Sequence, residues 1–170
     1  MGEGGDWVDR VIEEWSAERP DLDLAPVEVV GRLGRAAALS GRLLERNLKR
    51  FGLTTASFDL LATLRRAGPP YRLAAGALAR STLKTSGTIT ARLDALERDG
   101  LVRRAPDPDD RRGVLVELTP DGLARLDEAV GSHLALQATM VEGLDADERR
   151  SLAALLRKLL AGVDRAGGAG

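Results

Sequence analysis

The sequence predicts a mainly α-helical fold with one small β-hairpin, and three observations carry that prediction. Apolar residues recur at helical spacing through most of the 170 residues. The period falls to two only between Leu101 and Leu118. Prolines and glycines stand where helices would open or close, as at Pro26, Gly52, Gly100 and Pro120.

Residues 6–18 form a short amphipathic helix, with Trp7, Val8, Val11, Ile12 and Trp15 on one side and acidic residues on the other. Pro20 ends it. Pro26 to Arg50 reads as a long helix whose stripe runs through Val27, Val30, Gly34, Ala37, Gly41, Leu44 and Leu48. Small residues in that stripe suit close contact with another helix. Thr54 or Thr55 caps the next helix, which continues to about Arg66. A short helix over Leu73 to Arg80 follows. After the connection Ser81-Thr82-Leu83 another runs from about Lys84 to Arg98, with Ile89, Leu93 and Leu96 inward.

Leu101 to Arg104 is a strand, Pro106 to Gly113 a turn-rich charged loop, and Val114 to Leu118 the returning strand. Thr119-Pro120 opens a long helix that Gly143 breaks. Asp145 and Glu148 have capping-box spacing for a final helix through about Val163, with Leu152, Leu155, Leu156, Leu159 and Leu160 on its apolar face. Three helices, a hairpin with a basic tip and two long helices make a winged helix-turn-helix with helical arms. Four segments follow from this order: residues 1–52 with a short and a long helix, residues 53–118 with the winged helix-turn-helix, residues 119–165 with the two C-terminal helices, and residues 166–170 as a disordered tail.

The net charge of −1 conceals segregation. Residues 1–30 carry net −7, whereas residues 31–112 carry 17 basic against 8 acidic side chains. A local basic surface, not the global balance, is what a nucleic acid meets. Only 3% of residues are aromatic, which argues against a sugar-binding or base-stacking surface. The absence of cysteine removes disulfides, thiolate metal sites and a cysteine nucleophile. The single histidine, His133, provides neither a catalytic triad nor a common zinc site, and its helix suggests packing or a subunit contact. No phosphate-binding loop follows a strand. No enzyme, metal or cofactor is implied. No apolar run reaches the ~18 residues of a membrane span, and the acidic, periodic N-terminus is unlike a signal peptide. A soluble cytoplasmic protein is expected.

In a helix-turn-helix the second helix enters the major groove. Here its leading residues are Lys84, Thr85, Ser86, Gly87, Thr88 and Thr90. Short polar side chains at a helix N-terminus suit phosphates and base edges, and glycine permits close approach. Arg111 and Arg112 at the hairpin tip suit a narrow minor groove. A dimeric helical interaction module that reads no DNA would share the long amphipathic ends, but neither the wing nor the basic middle.

The run from Asp107 through Arg111, Arg112 and Gly113 to Thr119, Pro120, Asp121 and Gly122 resembles the wing signature of the MarR (multiple antibiotic resistance regulator) family. Thr85 to Val102 resembles its recognition helix and first wing strand. The resemblance covers nearly the whole chain. It implies a homodimer built from N- and C-terminal helices, with one DNA-reading lobe per subunit. It also implies repression of its own gene and a divergent neighbour, relieved by a small phenolic or otherwise anionic ligand.

A narrower resemblance is to the urate-responsive subgroup, on Trp15 in the extra helix, Asp59 in Phe58-Asp59-Leu60-Leu61, and Arg92 and Arg104. It implies a ligand site in which Trp15 offers a flat face and Arg92 a cation. Asp59 and Arg104 would pair without ligand, and a bound anion would repel Asp59 and move the recognition helix through Arg104. Ala91 departs from the Asn or Ser of relatives. Citrate, aconitate and phenolic compounds are the other ligand classes for such a pocket.

Overall fold

The computed structural model describes residues 5–81, 86–108, 110 and 113–168, and of residues 81 and 86–88 the backbone alone. The elements in order are α1 (Trp7–Glu18), α2 (Ala25–Lys49), α3 (Thr55–Arg66), β1 (Arg72–Ala74), α4 (Ala75–Ser81) and α5 (Ser86–Arg98). Then come β2 (Val102–Pro106), β3 (Val114–Leu118), α6 (Pro120–Met140) and α7 (Ala146–Gly167). The last helix runs four residues beyond Val163, into the segment assigned to the tail.

Helix starts follow local chemistry. Thr54, not Thr55, caps α3: its hydroxyl accepts from the Ser57 N–H at 3.1 Å, and the Ser57 hydroxyl accepts from the Thr54 N–H at 2.8 Å. Asp145 and Glu148 form the same reciprocal box at the head of α7. Such caps contribute about 1 kcal/mol each. Asp6 and Asp9 make a third box, at the head of α1. At the other end of a helix, Gly52 takes φ 69° just past α2, a conformation that a side chain disfavours.

One expectation is corrected. The short helix placed over Leu73 to Arg80 begins as a strand, because Arg72, Leu73 and Ala74 pair antiparallel with Glu117, Val116 and Leu115. β3 needs a partner on its second edge, and three residues ahead of α4 supply it. The sheet therefore has three strands in the order β1-β3-β2.

The core is leucine-rich and lies wholly between Leu48 and Ala129. Leu60, Leu61 and Leu64 of α3, Leu78 of α4, and Ile89, Leu93 and Leu96 of α5 close against Val102, Val116 and Leu118 of the sheet. Leu126 and Ala129 of α6 complete it. The arms are different. α7 buries no residue, α1 buries only Val8, and α2 buries only Asn47 and Leu48. Val29, Val30, Leu33, Leu39, Leu43, Leu134, Leu152, Leu155, Leu160 and Val163 all stand exposed.

Lobe and arm meet at the start of α6. The Thr119 hydroxyl accepts from the Gly122 N–H at 2.9 Å and donates to the Gly100 carbonyl at 2.6 Å, while the Thr119 N–H reaches the Leu101 carbonyl at 3.1 Å. A Cβ on Gly122 would lie 1.9 Å from the Leu101 oxygen, so only glycine fits. Gly122→Ala is expected to destabilise the fold by about 3 kcal/mol, at the upper end of overpacking costs because backbone must move. Urea denaturation checks this, and an unchanged midpoint would refute the close approach.

Candidate nucleic-acid interface

α4 and α5 are the helix pair, with α5 second. Ile89, Leu93 and Leu96 anchor α5 from behind, which leaves Thr90 and Ala91 exposed on the opposite side. Ser86, Gly87 and Thr88 are described by their backbone, in the first turn of α5. Lys84, Thr85, Arg111 and Arg112 lie outside the described residues. The wing strands β2 and β3 pair from Val102↔Leu118 to Pro106↔Val114, which places the charged loop between 106 and 114 at the far end of the hairpin.

Arg104 binds the wing to α5. It shares a sheet face with buried Val116, where α5 packs. Its guanidinium pairs with Asp94 and lies 3.2 Å from a Glu97 carboxylate oxygen, and its backbone N–H donates to Glu97 at 2.9 Å. This corrects the expected Asp59–Arg104 salt bridge. Asp94 and Glu97 are three residues apart on one helix face, directly against β2, and they take the cation. Asp59 is the fifth residue of α3 and its side chain is exposed.

Among the described residues, the cleft that Arg92 lines does not gather the four residues assigned to a ligand. Arg92, half-buried, lines a cleft of about 520 Å³ between the head of α3 and α5, with Thr54, Ala56, Ser57, Ala95, Leu96 and Asp99. Neither Trp15, Asp59 nor Arg104 is in its walls. Trp15 stands 52% exposed on α1. That helix is clamped to α2 by Arg32, whose Nε donates to Asp6 at 2.9 Å and whose Nη2 donates to Asp9 at 2.5 Å. Val8 seats against Gly31, 3.1 Å from where a Cβ would stand.

His133 is a packing residue. Its ring stacks on Phe58 of α3 at 4.8 Å, and its Nε2 lies 3.1 Å from the Gln137 amide nitrogen. Among the described residues, no group of three His, Cys, Asp or Glu side chains is arranged to hold a metal ion. No helix among them is long and apolar enough to cross a membrane.

Sequence reasoning missed the ion pairs of Asp94, Glu97, Arg32 and Glu117. The i, i+3 acidic pair on α5 was a visible signal for the first two. Glu117 needed the strand register, which appears only once β1 is known.

A helix pair followed by a two-stranded wing, joined in one sheet by a strand ahead of the pair and framed by long helices, defines a winged helix-turn-helix protein. Comparison with known proteins narrows the class. A MarR-family model matches residues 51–113. The HTH-type transcriptional regulator PecS of Dickeya dadantii is 36% identical over 152 residues, covering 89% of this chain and 92% of that protein. A mutant of Escherichia coli MarR in complex with operator DNA superposes with a TM-score of 0.70 at 30% identity, over 82% of this chain and 99% of that one. BpsR of Bordetella bronchiseptica, whose DNA binding is regulated by 6-hydroxynicotinic acid, gives 0.65 at 30% identity, over 78% and 98%. The chain belongs to the MarR family of DNA-binding transcription regulators, and it is not an enzyme.

α1 carries both tryptophans of the chain, so their emission reports its docking. The hydrogen bond from Arg32, with a smaller contribution from the Asp6 backbone, holds the Asp9 carboxyl below its ordinary value of 3.8. A depressed carboxyl stabilises the docked state above its ordinary value, and that contribution is lost as pH falls through the lower folded value. Tryptophan emission is expected to stay constant from pH 7 down to about 4 and to shift below it. Arg32→Ala is expected to show the acid spectrum already at pH 7. An unshifted spectrum in that variant would contradict the clamp.

Proposed function

We propose that this protein is a ligand-responsive transcription repressor that binds a pseudo-palindromic operator as a homodimer and is released by a small anionic ligand such as urate. The observation that carries the reading is the seating of α5: three buried residues fix it from behind, and its other side is open to a major groove. Lys84, Thr85, Ser86, Gly87, Thr88 and Thr90 are the residues assigned to the groove, with Arg111 and Arg112 to the flanking minor groove. E. coli MarR in complex with operator DNA supports the DNA partner.

The exposed apolar faces of α2, α6 and α7 support the homodimer. A 22-residue helix that buries nothing and exposes Leu152, Leu155, Leu160 and Val163 lacks its packing partner within one chain. Fully burying such a side chain contributes about 1.5–3 kcal/mol. Residues 1–52 and 119–165 are assigned to this interface, and residues 53–118 to the DNA-reading lobe. The protein is assigned to the cytoplasm, where its DNA is.

The cleft beside Arg92 supports an anionic ligand, and regulation of BpsR by 6-hydroxynicotinic acid supports a planar one. Urate is the first candidate, with Trp15, Asp59 and Arg104 as its further linked residues. Citrate, aconitate and phenolic compounds are the alternatives.

Fluorescence anisotropy on duplex from the protein's own upstream region, with and without urate, tests the reading. Selective binding on the order of 10 nM or tighter is expected, on a site with half-sites about 10 bp apart. Counterion release predicts a loss of about 10³-fold or more between 50 and 200 mM salt for six or more phosphate contacts. Urate is expected to release the DNA. Release by citrate or a phenol instead would keep the repressor and change its ligand, whereas salt-insensitive, unselective behaviour on every duplex would favour a dimeric interaction module.

Arg92→Ala should raise the urate concentration needed for release at least ~10-fold, the scale of one charge-assisted pair. Trp15→Phe should do so more mildly, with DNA affinity nearly kept. An equal loss of DNA and urate binding in both variants would assign the two residues a structural role.

A further inference from the structure

Glu117 sits at the centre of the three-stranded sheet, at a register position shared by all three strands. Arg72 of β1 and Arg103 of β2 are its direct cross-strand partners. One carboxylate oxygen lies 2.7 Å from Arg103 Nη2 and the other 4.0 Å from Arg72 Nη1. The carboxylate is largely covered, at 18% side-chain exposure, while Arg103 is 68% exposed. The neighbours Val116 and Leu118 point the other way, into the core. The base of the wing is therefore held by apolar burial on one face and by one shared carboxylate on the other.

β1 runs directly into α4, the first helix of the pair that carries α5. The residue before β1 is fixed as well. The Tyr71 carbonyl accepts from the Leu118 N–H at 3.1 Å, and its ring lies under the Arg65 guanidinium at 4.9 Å. A residue that ties β3 to β1 thus ties the wing to the helix pair.

We propose that Glu117 is the positioning residue of the wing: by holding Arg72 and Arg103 across the central strand, it sets the angle at which the hairpin meets DNA beside the groove read by α5. This rests on the reading of the wing as a DNA contact. Without the carboxylate, two guanidiniums face each other across one strand with nothing between them, and the hairpin keeps β1 on this face by backbone pairing alone.

The sign of the effect separates this role from plain electrostatics. Removing a negative charge from a DNA-binding protein should, by charge alone, tighten binding and steepen its salt dependence. A positioning role requires the reverse. Glu117→Gln keeps the side-chain shape and is expected to weaken binding several-fold. It should also make the salt slope shallower by about 0.9 for each phosphate that the wing no longer reaches.

Hydroxyl-radical footprinting on a duplex selected by the wild-type protein from random sequence is the deciding measurement, with thermal midpoints recorded alongside. Wild-type protein is expected to protect the outer flanks as well as the central grooves. Glu117→Gln should open the flanks and leave the central protection in place. Flanks protected in both proteins, or tighter binding by Glu117→Gln, would overturn the inference and leave the repressor reading intact. Uniform loss of the whole footprint, in step with a lowered thermal midpoint, would mark Glu117 as a general stability residue and overturn it too. Open flanks in the wild-type protein would overturn the wing reading itself, and this inference with it.

Discussion

The carbonyl of Leu101 occupies the space a side chain on Gly122 would need, and the rest of the molecule is arranged around that contact. α5 ends just before it, at Arg98, with Gly100 turning the chain at φ 72°, β2 begins just after it, and α6 departs from it. Thr119 completes the joint by capping α6 and bonding to both Gly100 and Leu101. A joint made of backbone against backbone has fewer ways to relax than one made of flexible side chains. α6 is 21 residues long and so extends about 30 Å. A rotation of a few degrees at the joint becomes a displacement of ångströms at the far end. Orientation of the DNA-reading lobe and orientation of the arm are thus one variable.

That coupling matters because the two halves of the molecule are stabilised differently. The lobe has a leucine core that Leu48 of α2 and Leu126 and Ala129 of α6 close within one chain. The arms leave theirs in water, and a second copy offering the same helices is the simplest cover, because a two-fold interface uses one surface twice. In the proposed homodimer, two lobes mounted on one arm assembly would stand at a spacing set by the Gly122 joints. The basic excess of residues 31–112 lies between acidic ends and spans both α2 and the helix-turn-helix lobe.

Most of the fold was legible because its signals are local. Thr119 and Asp145 announce helix starts through their own hydrogen bonds, and the change from helical to alternating period between Leu101 and Leu118 marks the hairpin without reference to anything distant. What stayed hidden is non-local. β1 has three residues, too few to show a period, and exists because β3 has a free edge. The partner of Arg104 was misread for the same reason. A matching position singled out Asp59, but the cation goes to the nearest carboxylates, and only the packing of α5 on β2 brings Asp94 and Glu97 to it. The proposed ligand site was the least legible, since the cleft that Arg92 lines does not have Trp15 in its walls.

This separation bears on how a ligand would act. Arg92 is part of α5, so an anion in the cleft between α3 and α5 would press on the recognition helix itself. A ligand held only at Trp15 would have to act through α1, α2 and the joint at Leu101. A ligand that fits both the DNA-bound and the free arrangement equally well shifts nothing, however tightly it is held. The α3–α5 cleft satisfies that requirement more directly, because its width changes whenever α5 moves relative to the head of α3. The same linkage would run backwards: DNA that held α5 in one position would set the width of the cleft, and would change the affinity for such a ligand by the factor by which the ligand changed the affinity for DNA.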